Sequence, residues 1–481
     1  MTRRLPTHLI ALLCALLAWA APATAAAADS DALAADDFRL VALLRAARAR
    51  GAPSAHAFLL VDTKGIRAAD LAGSVGSDDD TPLSDDALFR IGSITKTFTA
   101  LALVMAANDG ALDLDDPLDA VVGPGLIDNP WAATAPVRIV HLLEHSAGLA
   151  DLAGAEFDPR DPRPVPLAKA VHDHAEARRV LWPPGRYFSY TNAGAGLAAY
   201  ALERATGSDF ESFLATRVLA PLGMTHASLH FDDAVRAHLV PGYDADGRTV
   251  LPYWQLLYRP FGALNVRPRE MAGLLCLLLG RGVLDNARLL PADAVTRMER
   301  PVTTRAAASG LDFGYGLGLY SWYHDGTRFF GHGGDGDGYL AHFGYSPAVG
   351  LGYFLVINAF DHATLDVMRE LVEDRIVAAA PAVIPPPVYP DDLPAAALGP
   401  YRALTARFGA SVDDRPGLVL ERRADGLFSR RDEAPAERLL RVDATHWRRA
   451  GDGGPTIALL PDGDGWLFLG ERGNFQRRST P

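Results

Sequence analysis

Lysine is almost missing from this chain. Of 46 basic side chains in 481 residues, lysine supplies Lys64, Lys96 and Lys169, and arginine supplies the rest. Cysteine is scarcer, at Cys14 and Cys276 alone. Cys14 falls within an apolar run near the N-terminus and follows Leu13 rather than a small residue, which argues against lipid attachment there. Long apolar runs are lacking too, since Leu9 to Ala20 is short for a bilayer span. Arg3 and Arg4 precede that run and Ala23-Thr24-Ala25 follows it, the pattern of an export signal (residues 1–25) cut near Ala25. The expectation is an exported chain, periplasmic or extracellular, with no stable membrane anchor after cleavage. Cys276 would then be the only cysteine, so no intrachain disulfide can form and the core must supply the stability. Positive charge is short overall: 58 acidic against 46 basic residues give −12, and −14 once Arg3 and Arg4 are lost. Such a chain repels nucleic acid and anionic lipid, and neither is expected as a partner.

A hydrophobic content of 49% with 22% charged residues belongs to a folded protein rather than a disordered one. The length exceeds one ordinary core, so two domains are expected. Helical periodicity covers Ala32 to Arg50, and strands are expected over Ala55 to Asp62 and Ile66 to Val75, joined by Thr63-Lys64-Gly65. The middle of the chain reads as mostly helical, over Ile139–Leu143, Leu197–Thr206, Ser208–Val218, Arg269–Leu279 and Ala292–Arg300. Residues Ala155–Pro166 read as an exposed loop. Strands then return over Gly316–Tyr323, Thr327–Gly331, Tyr339–Ser346 and Leu351–Asn358, before a closing helix at Ala363–Ala379. The fold class expected is α+β: an antiparallel sheet built from both ends of residues 26–380, flanked by helices, with an inserted helical lobe. Pro381 to Pro394 forms a semi-rigid linker. Residues 395–481 read as a small all-β barrel or sandwich.

Three segments carry chemistry. In Phe89-Arg90-Ile91-Gly92-Ser93-Ile94-Thr95-Lys96, Ser93 stands at a helix start and Lys96 one turn later, close enough for hydroxyl and amine to touch. A serine nucleophile needs such a neighbouring base. Arginine cannot take that role because it is never neutral, so a lysine kept in an arginine-using chain is a pointed choice. In Tyr187-Phe188-Ser189-Tyr190-Thr191-Asn192, an extended backbone would point Tyr190 and Asn192 the same way. A phenol can serve as base beside cations, and an amide can hold a carbonyl. In His332-Gly333-Gly334-Asp335-Gly336, glycines allow close backbone approach, and peptide N–H groups can face an oxyanion.

In this order the three segments resemble the serine β-lactamase and D,D-peptidase superfamily, most like its class C and esterase-type members. Leu142-Leu143-Glu144-His145-Ser146-Ala147-Gly148-Leu149, Pro221-Leu222-Gly223-Met224 and Phe313-Gly314-Tyr315-Gly316-Leu317-Gly318 support the resemblance. It implies two-step acyl transfer: Ser93 is acylated, Lys96 or Tyr190 is the base, and water releases the acyl group. It also implies substrate contacts from Asn192, His332, Gly333, Gly334 and Asp335, with the N–H groups of Ser93 and Asp335 as oxyanion donors. Each candidate base starts near pKa 10, so having it deprotonated at pH 7 costs about 4 kcal/mol. Typical β-lactamases open the third motif with lysine, whereas His332 is a poor anion site. Phe261-Gly262-Ala263-Leu264 also departs from the usual Gly-Gly. Both departures point to esters, amides or D-amino-acid peptides as substrates. A true β-lactamase, a D,D-carboxypeptidase or a silent penicillin-binding-like sensor remain the alternatives. The C-terminal domain loosely resembles lipocalin-like modules. His145 matches a family position without an assigned role. His172/His174 and His226/His230 lack a third ligand, and no metal or cofactor is expected. A small molecule or peptide is the expected partner, and oligomeric state has no signature in the sequence.

Overall fold

A computed structural model describes residues 21–152, 156, 164–173, 178–253, 255–336, 338–406, 417–431, 434–470 and 473–477. The apolar run of the expected export signal and most of the loop expected at Ala155–Pro166 lie outside the described residues. Helix α1 (Ala21–Arg50) leads to strands β1 (Ala55–Asp62), β2 (Gly65–Gly76) and β3 (Asp79–Pro82). Helices α2 (Thr95–Asn108), α3 (Ile139–Leu143), α4 (Ala193–Thr206) and α5 (Met271–Leu279) follow. Strands β4 (Tyr320–His324), β5 (Thr327–Gly336), β6 (Tyr339–Ser346) and β7 (Leu351–Ile357) then complete a sheet, and helix α6 (His362–Val377) closes the unit. The seven strands are ordered β3-β2-β1-β7-β6-β5-β4, and every neighbouring pair is antiparallel. Among the described residues no helix is long and apolar enough to cross a membrane.

Strand β1 shows how the layers arise. Its side chains alternate between faces, and both faces are apolar. Ala55, Ala57, Leu59 and Val61 join the core built by α2, α4 and α5, while Phe58 and Leu60 join Leu40 and Leu44 of α1 and Met368 and Val372 of α6. A strand with two buried faces belongs inside a sheet, and β1 is third from its edge. Helix α2 is equally telling, because every residue from Thr95 to Ala106 is buried. A helix buried on all sides must satisfy its own polar groups. Thr95 Oγ1 donates to Gly92 O at 2.7 Å, Thr97 Oγ1 to Gly318 O at 2.7 Å and Thr99 Oγ1 to Pro260 O at 2.8 Å. Three alternate threonines thus tie α2 to three separate segments.

Several expected boundaries differ, each for a local reason. Strand β4 begins at Tyr320 rather than Gly316. Gly318 takes a left-handed φ of 70°, and a Cβ there would lie 2.8 Å from that of Ala100. The helix expected over Ser208–Val218 is split: Asp209 caps Phe210–Phe213, and Leu214–Leu219 continues as a wider π-helical turn. Strand β5 continues five residues beyond Gly331, through the whole His332–Gly336 segment.

The C-terminal strands close into an eight-stranded barrel in which each strand pairs antiparallel with the next and the last with the first. They run β8 (Gly399–Ala403), β9 (Leu418–Arg423), β10 (Gly426–Arg431), β11 (Glu437–Arg441), β12 (His446–Arg449), β13 (Ile457–Asp462), β14 (Gly465–Gly470) and β15 (Gly473–Arg477). Closure removes the exposed strand edges. Trp447, Leu420, Leu459 and Phe468 pack inside. A second apolar cluster joins the barrel to the larger unit: Ala458, Leu467 and Leu469 meet Trp182, Leu311 and Phe313. Arg305 Nη1 reaches Asp462 Oδ1 at 2.5 Å across the same junction.

Burial leaves several histidines neutral. Desolvation holds His332 and His342 down to about 3, with the charges of Lys96 and Arg369 acting the same way. Desolvation, then Arg138, holds His141 at about 4. The unfolded chain takes up protons at these rings below pH 6.5, and the folded chain does not until about pH 4 to 3. Stability therefore falls as pH falls through that window, by up to about 1.4 kcal/mol per pH unit for each ring. The urea midpoint is expected to be clearly lower at pH 5 than at pH 7, and equal midpoints would contradict this reading.

Candidate active site

Ser93 stands in a single 3-10 turn, Gly92–Ile94, that feeds directly into α2. Gly92 has a φ of 50°, and a Cβ there would lie 2.4 Å from Asp335 O. Only glycine takes that turn and that contact without strain. Lys96, one turn on and 4% exposed, donates through Nζ to Ser93 Oγ at 2.9 Å and to Phe261 O at 2.8 Å. The segment that departs from the resemblance, Phe261-Gly262-Ala263-Leu264, therefore still contributes its first carbonyl to the lysine. The Lys96 ammonium also lies 4.9 Å from the centre of the Tyr190 ring. Ser93, Lys96 and Tyr190 are thus gathered at one point.

The segment carrying Tyr190 and Asn192 does not have the extended backbone that would point the two side chains the same way. Residues 188–191 form no strand, and Asn192 has φ −78° and ψ −32° at the N-terminal cap of α4. Asp151 holds this turn, accepting the N–H of Asn192 at 2.7 Å and of Leu152 at 2.9 Å. His145 supports it from behind. Its ring centre is 4.1 Å from that of Tyr190, and its Nδ1 accepts the Thr191 N–H at 3.3 Å. His145 itself has a φ of 53°, a conformation uncommon outside glycine. Its neighbour Glu144 is fully buried. It accepts the N–H groups of Val302 and Thr303, the Thr303 hydroxyl at 2.6 Å and Arg297 Nη2 at 2.6 Å.

The third segment is the end of strand β5, paired with β6 along one side. Strand β4 pairs with Thr327–Gly331 of β5 and stops, so among the described residues no strand lies on the other side of His332–Gly336. A Cβ on Gly334 would lie 1.9 Å from Ile91 O and 3.0 Å from Ser93 N. Two backbones are therefore in contact where the N–H groups of Ser93 and Asp335 were expected to face an oxyanion. Asp335 is exposed and Gly333 half-buried. His332 Nδ1 lies 2.5 Å from Gly333 O and its Nε2 lies 2.9 Å from Tyr315 Oη. The carbonyl can only accept, so Nδ1 carries the proton and Nε2 accepts the Tyr315 hydroxyl. With its pKa held near 3, His332 brings no charge to the site.

Sequence reading missed Thr95, Thr97 and Thr99, Glu144, Asp151 and Tyr315. The threonines had a visible signal in their alternate spacing within an apolar helix; the others act through partners distant in sequence. Of the histidine pairs, His226 and His230 bond to Glu270 and Glu211, and His174 lies outside the described residues. Among the described residues His324, Asp325 and Asp374 bring their ligand atoms within 4.8 Å of one another, on the β4–β5 turn and α6. His324 Nε2 already bonds Asp374 Oδ1 at 2.6 Å there.

The Beta-lactamase family model matches residues 40–376. Penicillin-binding protein 4 of Amycolatopsis lactamdurans is 27% identical over 331 residues, covering 66% of this chain and 84% of that protein. A D-aminopeptidase of Gluconobacter oxydans is 26% identical over 375 residues, covering 73% of this chain and 65% of its own length. Against three further curated relatives the chain spans 61%, 40% and 32% of their lengths. The crystal structure of SurE aligns with a TM-score of 0.60 at 23% identity, over 92% of this chain and 99% of that one.

The contact at Gly334 yields a prediction. Gly334→Ala is expected to displace Ile91–Ser93 and lower ester hydrolysis by at least about 10²-fold, the scale of one lost oxyanion donor. Steady-state kinetics on folded variant checks this; near-native kcat would show that the two backbones are not in register for catalysis.

Proposed function

We propose that this chain, which belongs to the Beta-lactamase family, is an exported serine hydrolase that forms an acyl-enzyme on Ser93 and acts on esters, amides or D-amino-acid peptides. The observation that carries this reading is the 2.9 Å contact of a buried Lys96 Nζ with Ser93 Oγ. With the Lys96–Tyr190 pair holding one proton fewer than an ammonium and a phenol together, Ser93 Oγ attacks the substrate carbonyl and gives its proton to that pair. The tetrahedral oxygen takes the negative charge against the N–H groups of Ser93 and Asp335. Collapse expels the alcohol or amine, which leaves with the proton held by the pair. Water then repeats the sequence on the acyl-enzyme. Because the two bases are coupled, the proton belongs to the pair rather than to either residue.

Substrate class follows from the third motif. A lysine there would offer a cation to a carboxylate, whereas His332 is neutral and already hydrogen-bonded to Tyr315 and Gly333. That disfavours an efficient β-lactamase. The similarity to a D-aminopeptidase supports D-configured amides among the substrates. The order of the barrel strands, up and down around a closed ring, supports a lipocalin-like reading of the C-terminal unit.

Three substrates separate the readings: p-nitrophenyl butyrate, D-alanine p-nitroanilide and a chromogenic cephalosporin. Turnover of the ester or the anilide is expected, falling at least about 10³-fold in Ser93→Ala and Lys96→Met. Rapid cephalosporin turnover with neither of the others would overturn the proposed substrate class.

A further inference from the structure

A cavity of about 580 Å³ opens between the two units, within the size range of small-molecule sites. Its near wall is Phe188, Tyr315, Tyr320 and Gly333, from the segments that carry Tyr190 and the third motif. Its far wall comes from the barrel, including Leu469 and Asn474. Asn474 also donates through Nδ2 to Phe188 O at 2.6 Å, so the barrel grips the chain two residues before Tyr190. The cavity is therefore built by both units, and a layer two rings deep, Tyr320 and then Tyr190, separates it from Lys96.

That layer fixes which part of a substrate could reach it. Tyr315 and Tyr320 have ring centres 6.1 Å and 6.4 Å from that of Tyr190, and Tyr320 stacks on it within 5° of parallel. The atom that takes a proton from the Lys96–Tyr190 pair is the departing oxygen or nitrogen. Its substituent must leave the reacting carbon on the side of Tyr190, toward these rings. The charged groups of the lining are already engaged. Arg449 Nε bonds Glu437 at 2.8 Å, Arg369 Nη1 bonds Glu373 at 3.2 Å, and Asp452 accepts the Thr456 hydroxyl at 2.7 Å. Arg186 Nε likewise bonds Tyr187 Oη at 3.0 Å, and most of what the walls leave for a ligand is ring faces and aliphatic surface.

We infer that this cavity holds the substituent of the leaving group, and that it selects a bulky, uncharged aromatic or branched apolar one. The inference rests on the acyl-enzyme reading of Ser93 for its direction. The barrel then acts as half of a specificity pocket.

Two measurements test it. Phenyl acetate and 2-naphthyl acetate release alcohols of similar acidity but different size, so their kcat/KM ratio reports room for the leaving group. The native ratio is expected to favour naphthyl by about tenfold, a typical discrimination for an apolar pocket. Ala306→Trp, on the cavity wall, is expected to bring the ratio close to one, and Ala306→Leu to lower it partway, should the larger side chain prevent folding. Independently, 2-naphthol is titrated by fluorescence against the Ser93→Ala protein and against Ser93→Ala/Ala306→Leu, with weaker binding expected in the second. A native ratio near one, or naphthol binding that Ala306→Leu leaves unchanged, overturns the inference. Naphthol binding that weakens as expected in a protein turning over neither ester supports the cavity's ligand class and counts against the hydrolase reading alone.

Discussion

A buried lysine amine held between a serine hydroxyl and a main-chain carbonyl is the constraint from which the rest follows. Lys96 reaches Ser93 Oγ and Phe261 O at 2.9 and 2.8 Å from a helix with no solvent-facing residue between Thr95 and Ala106. An ion taken out of water must be met by fixed dipoles, and those dipoles must not move. The threonine anchors of α2 serve that purpose, since they tie the helix to Gly92, Gly318 and Pro260 on three sides. The last of these is the residue before Phe261. One helix thus fixes both the lysine and the carbonyl that receives it.

Two further features share that economy of placement. Gly92 and Gly334 lack side chains where two backbones meet, and that is what lets Ile91–Ser93 and Gly334–Asp335 come together. His332 fills the place where a cation would stand and is kept neutral by burial and by Lys96 itself, while Tyr315 fixes its ring. His332 thus adds no positive charge beside Lys96. The barrel closes the side left open, through the Asn474 bond to Phe188 and the apolar cluster around Leu311 and Phe313.

What could be read from sequence was chemistry that lies close along the chain. Ser93 and Lys96 share a helix turn, and His332 to Asp335 share a strand, so spacing alone brought each set together. The apolar runs of β1 and α5 were legible for the same reason. Tyr190 and Asn192 stood out by their spacing, but the turn between them was not legible, because Asp151, forty-one residues away from Asn192, bends it into a helix cap. Glu144 and Tyr315 were invisible as functional residues, since their partners at Thr303 and His332 are set by tertiary packing. The extension of β5 to Gly336 was missed because glycine-rich sequence has low strand propensity; here the missing side chains are what admit Ile91 and Ser93.

The most direct measurement is intact-mass and peptide-mapping analysis after treatment with a fluorophosphonate, an acylation mimic that records which hydroxyl is activated. The account predicts a single stoichiometric adduct on Ser93 in the native protein, and its loss in Lys96→Met although Ser93 is still present. An adduct placed on another hydroxyl, such as Ser146 or Thr303, or undiminished labelling of Ser93 without Lys96, would contradict the claim that the buried lysine makes Ser93 the nucleophile.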